Sequence, residues 1–162
     1  MSTRVFRGMR SDQGGDGLAS LVESKNMRIV ERIVIPDNFK QLVTCLTEIS
    51  QSKLADLILT TGGTGLSKDD ITPEATLHVI EKRLTGFELA MQQEGLKKTP
   101  YAILSRAVAG TLNGTLIINL PGSPEGAKES LLAIIGVMPH ALRVLQSTQI
   151  EDEEHNPDAS AD

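Results

Sequence analysis

A glycine-rich loop followed by two adjacent acids is the feature of this 162-residue chain best suited to chemistry. Gly62, Gly63 and Gly65 lie between an apolar stretch and the acids Asp69 and Asp70. Because glycine carries no Cβ, a ligand can approach the backbone closely, and neighbouring amides can point together at an anion. Carboxylates a few residues further on can hold a divalent cation beside that anion. The stretch therefore predicts a site for a nucleotide with Mg²⁺ or, in the plainer interpretation, a structural turn between a strand and a helix.

Two further residues join this site if the sheet is parallel. Asp37 follows the predicted strand 28–35, at the edge where α/β proteins bind their ligands, although it can equally cap the helix predicted at 39–50. Arg106 ends a short apolar stretch, where its guanidinium can reach a phosphate or form a salt bridge on the surface. A second glycine-containing loop, after the predicted strand 115–120, is expected near the first one.

Alternating strands and helices must position these residues. Strands are predicted at 28–35, 54–61, 101–105 and 115–120, and helices at 17–25, 39–50, 72–84, 87–96, 125–135 and 139–146. This rhythm predicts a three-layer α/β/α fold with a mostly parallel sheet. Thr72 is predicted to cap the third helix, and Glu74 suits the positive end of its dipole. The ordered domain is expected to span residues 1–147, and the acidic residues 148–162 are expected to form a disordered tail.

Composition and charge exclude several classes of protein. The net charge is −5, but six of the 21 acids follow Ile150, so the rest of the chain is nearly neutral. A neutral body with 2% aromatic residues argues against nucleic-acid binding, and no apolar run approaches membrane-spanning length. Cys45 is the sole cysteine, which excludes an intrachain disulfide and a cysteine-cluster metal site. We expect a cytoplasmic protein with no nucleic-acid partner and no membrane insertion.

Four motifs in one order resemble a known family. They are LILTTGGTG, DDITPEAT, TPYAILSRAVAG and LIINLPGSPEGAKE. Over about residues 6–145 the chain strongly resembles the molybdenum-cofactor biosynthesis family and, more narrowly, the molybdopterin adenylyltransferases, including the G domain of gephyrin. The resemblance implies a trimer of α/β subunits that binds molybdopterin and Mg-ATP, transfers AMP to the terminal phosphate of the pterin and releases pyrophosphate. It also implies a partner domain or protein of the same pathway that inserts molybdate.

The resemblance also assigns individual residues. The family's two essential aspartates match Asp37 and Asp70, which are thereby expected to be catalytic and to bind Mg²⁺. The family's loop and ligand-binding segments match Gly62, Gly63, Thr64, Gly65, Ser105, Arg106, Asn119, Pro121 and Gly122. Transfer of AMP depends mostly on positioning and charge neutralisation, so no nucleophilic side chain is required.

The chain departs from the family pattern in two places. Members begin with an apolar strand inside the sheet, and here Met1 stands about where that strand ends. The resemblance therefore implies a missing first strand, which would leave two neighbours unpaired and apolar side chains in water. Asp69 stands where many members have arginine, with Lys68 as a partial substitute. Two alternatives to an active adenylyltransferase stay open: a catalytically impaired molybdopterin-binding or scaffold module, which the missing strand favours, and a generic Mg-nucleotide hydrolase.

Overall fold

The computed structural model describes the backbone of residues 13–154 and the side chains of residues 16–147. Its elements in chain order are α1 (Gln13–Glu23), α2 (Phe39–Gln51), β1 (Leu57–Thr61), α3 (Thr72–Val79), β2 (Lys82–Arg83), α4 (Thr85–Leu96), a 3₁₀ helix (Pro100–Leu104), β3 (Ala109–Leu112), β4 (Thr115–Leu120), α5 (Pro124–Ile134) and α6 (Met138–Glu154). The start of the chain, where the resemblance placed the missing strand, and residues 155–162 of the predicted tail lie outside these residues. Across the described helices, none is long and apolar enough by itself to cross a membrane, and only α5 with the first part of α6 passes that test, as a pair bent by 63°.

The described strands form one sheet in the order β1-β4-β3-β2. β1 and β4 are parallel, whereas β3 pairs antiparallel with both β4 and β2. Asn113 and Gly114 join β3 to β4 with φ values of 49° and 78°, the left-handed pair that a two-residue hairpin turn requires. The predicted α/β class is confirmed, and the sheet is mixed because of this hairpin.

The core lies on both faces of β4, whose side chains alternate between two apolar clusters. Leu116, Ile118 and Leu120 are buried against α1, α4, α5 and α6. Ile117 points the other way and packs with α2 and α3. Helices therefore cover both faces of the sheet, which confirms the three layers and leaves the carboxyl ends of β1 and β4 side by side.

The predicted strand at residues 28–35 is wrong: the segment forms no strand ladder. Within the described residues β1 pairs only with β4, and a cleft of about 1180 Å³ separates residues 28–35 from the free side of β1. Ile33, in this segment, is 45% exposed. A β-branched run shows that a segment can pair, but a strand also needs a partner at hydrogen-bonding distance.

Three other predictions of secondary structure differ from the structure. The predicted strand 101–105 is the 3₁₀ helix, because Pro100 begins a turn in which the Thr99 hydroxyl accepts a hydrogen bond from the Tyr101 amide at 3.3 Å. The predicted helix 72–84 ends at Val79, since the following residues extend and pair with β3. The last helix continues to Glu154, beyond the predicted tail boundary at residue 148.

Candidate active site

The glycine loop is bound to its surroundings through main-chain groups. The Gly62 amide donates to the Leu120 carbonyl at 3.1 Å, which continues the pairing of β1 with β4. Gly62 and Gly63 have φ values of 93° and 67°, a region that L side chains rarely adopt. The buried Thr72 hydroxyl donates to the Gly62 carbonyl at 2.9 Å, and the Thr72 amide donates to the Gly63 carbonyl at 3.0 Å. The first residue of α3 therefore holds the loop in its left-handed turn.

The two aspartates predicted from the sequence both face this loop. A Cβ added at Gly63 would lie 3.6 Å from Asp37 Oδ1, and one added at Gly65 would lie 2.8 Å from Asp70 Oδ2. The capping alternative for Asp37 is wrong, because Asn38 is the N-cap of α2 and its Oδ1 accepts from an α2 amide at 3.0 Å. Two carboxylates thus approach one glycine-rich backbone segment from different parts of the chain.

Arg106 points into the glycine loop and also forms a salt bridge, with the half-exposed Glu74, so the structure fits both alternatives offered by the sequence. Its main-chain amide donates to the Thr64 carbonyl at 2.9 Å. Its guanidinium donates from Nε to the Gly65 carbonyl at 2.7 Å, from Nη2 to the Asp70 carbonyl at 2.8 Å, and from Nη1 to the Glu74 carboxylate. Each of the three guanidinium nitrogens therefore has a protein partner, and two of those partners are loop carbonyls.

Glu74 supplies the charged partner of this arginine. Burial raises the pKa of the Glu74 carboxyl, but the hydrogen bond from Arg106, the backbone contact and the positive charge of Arg106 outweigh burial and bring the pKa below its ordinary value. Glu74 is therefore ionised at neutral pH. A negative charge beside the guanidinium favours the geometry in which Arg106 stays on the loop.

Asn119 lies beneath the loop and is fully buried. Its Oδ1 accepts from the Val108 amide at 3.2 Å, and its Nδ2 donates to the Thr60 hydroxyl at 3.0 Å and to the Thr76 hydroxyl at 2.9 Å. These contacts join β4 to β1 and α3. The resemblance implied that Asn119 contacts the ligand. In the structure its side chain is fully buried, and its hydrogen bonds position the strands and the helix that carry the loop.

The second glycine-containing loop packs against the first, as the sequence predicted. The Thr61 hydroxyl donates to the Pro121 carbonyl at 2.8 Å. A Cβ at Gly122 would lie 3.2 Å from Gly62 Cα, so the two backbones are in close contact. Ser105 is half-buried beside Arg106, and its hydroxyl accepts from the amide two residues further on at 3.4 Å.

Three contributors to the site were not predicted from the sequence. Thr72 was expected to cap α3, yet the N-cap is Ile71 without a side-chain cap, and Thr72 holds the loop instead. The Ser67 amide donates to Asp70 Oδ2 at 2.8 Å, which the Ser-x-x-Asp spacing of a tight turn could have indicated. Glu74 pairs with a residue 32 positions away, and no local pattern marks such a pair.

The oxygen donors of the site suit Mg²⁺. Among the described residues, no group of three or more His, Cys, Asp or Glu side chains is arranged to hold a metal ion. Mg²⁺ in nucleotide sites is usually held by one or two carboxylates together with substrate phosphates, so a pair is sufficient. Asp37 and Asp70 each bring a carboxylate to the glycine loop, and the absence of a Cβ at Gly63 and Gly65 leaves these carboxylates next to bare backbone.

Comparison with known proteins identifies the family. A family profile described as "Probable molybdopterin binding domain" matches residues 1–140. The molybdopterin adenylyltransferase of Helicobacter pylori is 34% identical over 157 residues, covering 96% of this chain and 89% of that protein. Gephyrin of Dictyostelium discoideum is 36% identical over 156 residues, and the match covers 90% of this chain but 22% of gephyrin. The crystal structure of the molybdopterin biosynthesis enzyme MoaB from Thermus thermophilus matches with a TM-score of 0.85 at 40% identity, covering 90% of this chain and 92% of that one. This chain therefore belongs to the family of probable molybdopterin-binding domains.

Proposed function

We propose that this protein is a molybdopterin adenylyltransferase, which transfers AMP from ATP to molybdopterin and releases pyrophosphate in molybdenum-cofactor biosynthesis. One observation carries the proposal: the carboxylates of Asp37 and Asp70 face the same glycine loop, at Gly63 and Gly65. Adenylyl transfer requires positioning of a triphosphate and neutralisation of its charge; the loop amides would position the phosphates, and Mg²⁺ held by the two carboxylates would neutralise the charge. The similarity to the Helicobacter pylori enzyme over nearly the whole chain supports the same reaction.

The residues of the loop have separate roles in this proposal. Asp37 and Asp70 would hold Mg²⁺, which when bound supplies charge neutralisation on the triphosphate. Within the described residues, the amides of Gly63, Thr64 and Gly65 donate to no protein acceptor, so they are available to phosphate oxygens. Thr72 and Asn119 hold that loop from below, and the attacking oxygen belongs to the terminal phosphate of the pterin, so the protein supplies no nucleophile.

A reconstituted reaction tests the proposal. The protein is incubated with molybdopterin, ATP and Mg²⁺, and pyrophosphate and adenylylated pterin are measured. The Helicobacter pylori relative serves as the active control. We expect both products in equal amounts, and no ATP loss when the pterin is omitted. Absence of product while the relative is active would refute the proposal, and ATP loss without pterin would favour a generic nucleotide hydrolase instead.

A second candidate is a molybdopterin-binding module with little or no turnover. The specific observation that favours it is the segment 28–35, which leads into Asp37 without a strand partner. The Asp37 carboxylate, which follows a segment without strand pairing, is held less firmly than the Asp70 carboxylate, whose segment is hydrogen-bonded to Arg106. A pterin titration separates the candidates, because the module binds pterin without forming pyrophosphate.

Assembly, partners and location complete the proposal. We propose a homotrimer in the cytoplasm that passes its product to a molybdate-inserting domain or protein. Exposed apolar side chains on α4 and the 3₁₀ helix, including Leu89, Tyr101 and Ile103, form a surface of the kind that subunit contacts cover. Light scattering should give three times the 17.4 kDa chain mass, and a monomer at all concentrations would contradict the trimer.

A further inference from the structure

We propose that Glu74 is a positioning residue for this reaction: through Arg106 it fixes residues 65–70 so that the Asp70 carboxylate faces the glycine loop. The inference rests on the proposed function, because it assigns Glu74 a part in the same site. Neither the motif match nor the sequence pattern gave Glu74 any role beyond the first turn of α3.

The guanidinium of Arg106 connects the two ends of the segment that carries Asp70. Nε holds the Gly65 carbonyl at one end, and Nη2 holds the Asp70 carbonyl at the other. Arginine is suited to this because its planar fork presents several donors in fixed directions. The distance between the two carbonyls is therefore set by the shape of one rigid group.

Glu74 keeps that group in place. Its carboxylate pairs with Nη1 of Arg106, whereas the loop carbonyls are neutral acceptors. The two side chains are 49% and 34% exposed, so a bound triphosphate would compete for the same cation. Without the Glu74 charge, we expect the guanidinium to leave the loop carbonyls more often in the ligand-free protein, and more often still when phosphate oxygens compete for it.

Release of the loop carbonyls by Arg106 would alter the position of the Asp70 carboxylate through the short turn from Ser67 to Asp70. Asp70 Oδ2 accepts from the Ser67 amide at 2.8 Å, and the Asp70 amide donates to the Ser67 carbonyl at 3.0 Å. Both bonds require the backbone position that Arg106 maintains. If Arg106 releases the Gly65 and Asp70 carbonyls, this turn should loosen and the Asp70 carboxylate should be misaligned. The amides that receive the triphosphate should keep their positions.

The test compares Glu74→Gln with Glu94→Gln in the full chain. Glu94 also pairs with a cation, but that cation is Lys97, the residue that caps the C-terminus of α4, so this variant removes an ion pair outside the loop contacts. We expect Glu74→Gln to lower kcat about 10- to 100-fold while KM for ATP changes less than about two-fold, since misplacement of a positioned group by about 1 Å can cost about 100-fold. Glu94→Gln should match the wild type in both constants.

Amide hydrogen exchange of the ligand-free protein gives a readout that does not depend on activity. The Ser67 and Asp70 amides should exchange faster in Glu74→Gln than in the wild type and at the wild-type rate in Glu94→Gln. This tests the contacts of Arg106 with the loop even if the wild type forms no adenylylated pterin. Unchanged exchange at both amides would overturn the inference. An unchanged kcat with a raised KM for ATP would also overturn it, because that result makes the Glu74–Arg106 pair a direct contributor to nucleotide binding.

Discussion

Replacing Gly65 with alanine should move the Asp70 carboxylate without unfolding the domain. The new Cβ would lie 2.8 Å from Asp70 Oδ2, whereas ordinary contacts begin at 3.4 Å, so the carboxylate must move by about 0.6 Å. Gly65 is not among the glycines with positive φ, so the backbone itself accepts alanine. Because a displacement of about 1 Å can cost about 100-fold in rate, we expect kcat for pyrophosphate release to fall about 10-fold.

Stability and two matched glycine variants isolate the cause. Strain on the Asp70–Ser67 hydrogen bond should cost about 1 kcal/mol, or about 2–4 °C in Tm for a domain of this size. Gly86→Ala is the steric control, because nothing lies within 4 Å of its new Cβ; it should keep the wild-type kcat, and its Tm should not fall, because alanine favours a helix more than glycine does. Gly63→Ala should behave differently and lose stability, because its Cβ would lie 2.4 Å from Thr72 Oγ1 at a φ of +67°.

Turnover and Tm are measured for the wild type and the three variants under the same conditions. A Gly65→Ala protein with wild-type Tm and a kcat within two-fold of the wild type would refute the reasoning, since the Asp70 position would then not matter. A Gly65→Ala protein that fails to fold would contradict the claim that only the carboxylate must move.

Other consequences follow from the same contacts. Asn119→Ala should lower the free energy of unfolding in urea by about 2–5 kcal/mol, because an amide and two hydroxyls lose their partner in the core; a change below about 1 kcal/mol would contradict its positioning role. Thr72→Val should cost about 1–3 kcal/mol in the same assay by leaving the Gly62 carbonyl without its donor, whereas Thr72→Ser should stay near the wild type; equal stabilities would show that this bond is unimportant. The pKa of Glu74 is lowered by folding, so its contribution to stability is present above the ordinary value of 4.5 and is lost as the pH falls through the folded-state pKa. Glu74→Gln should therefore lose less stability than the wild type between pH 6 and pH 3.5 in urea titrations, and identical losses would argue against the Arg106 ion pair.

The sequence predicted the elements whose signals are local. β4 was recognisable because its sequence, TLIINL, is a short aliphatic and β-branched run between two turn signals, which is typical of a buried strand. β3 was missed because its four residues include a glycine, and only its pairing with β4 and β2 makes it a strand. For residues 28–35 the error has the opposite sign, since their composition favours a strand but they pair with no strand among the described residues.

The same distinction applies to the site. The glycine loop and Asp70 are adjacent in sequence, so their proximity could be predicted. The choice between Asp37 and Asn38 as helix cap could not, because both residue types favour that position and only the fold decides which one turns inward. The Glu74–Arg106 pair and the burial of Asn119 depend on contacts between distant segments, which no single-sequence pattern encodes.

Binding of Mn²⁺ in the presence of a non-hydrolysable ATP analogue tests the central claim most directly, because it measures the two carboxylates without requiring turnover. The wild type should bind Mn²⁺ with the nucleotide at one site, and Asp37→Asn and Asp70→Asn should each weaken that binding at least about 10-fold. Asp69→Asn removes the neighbouring carboxylate, which belongs to an exposed residue, and should bind like the wild type. Wild-type Mn²⁺ binding by both Asp37→Asn and Asp70→Asn would contradict the account.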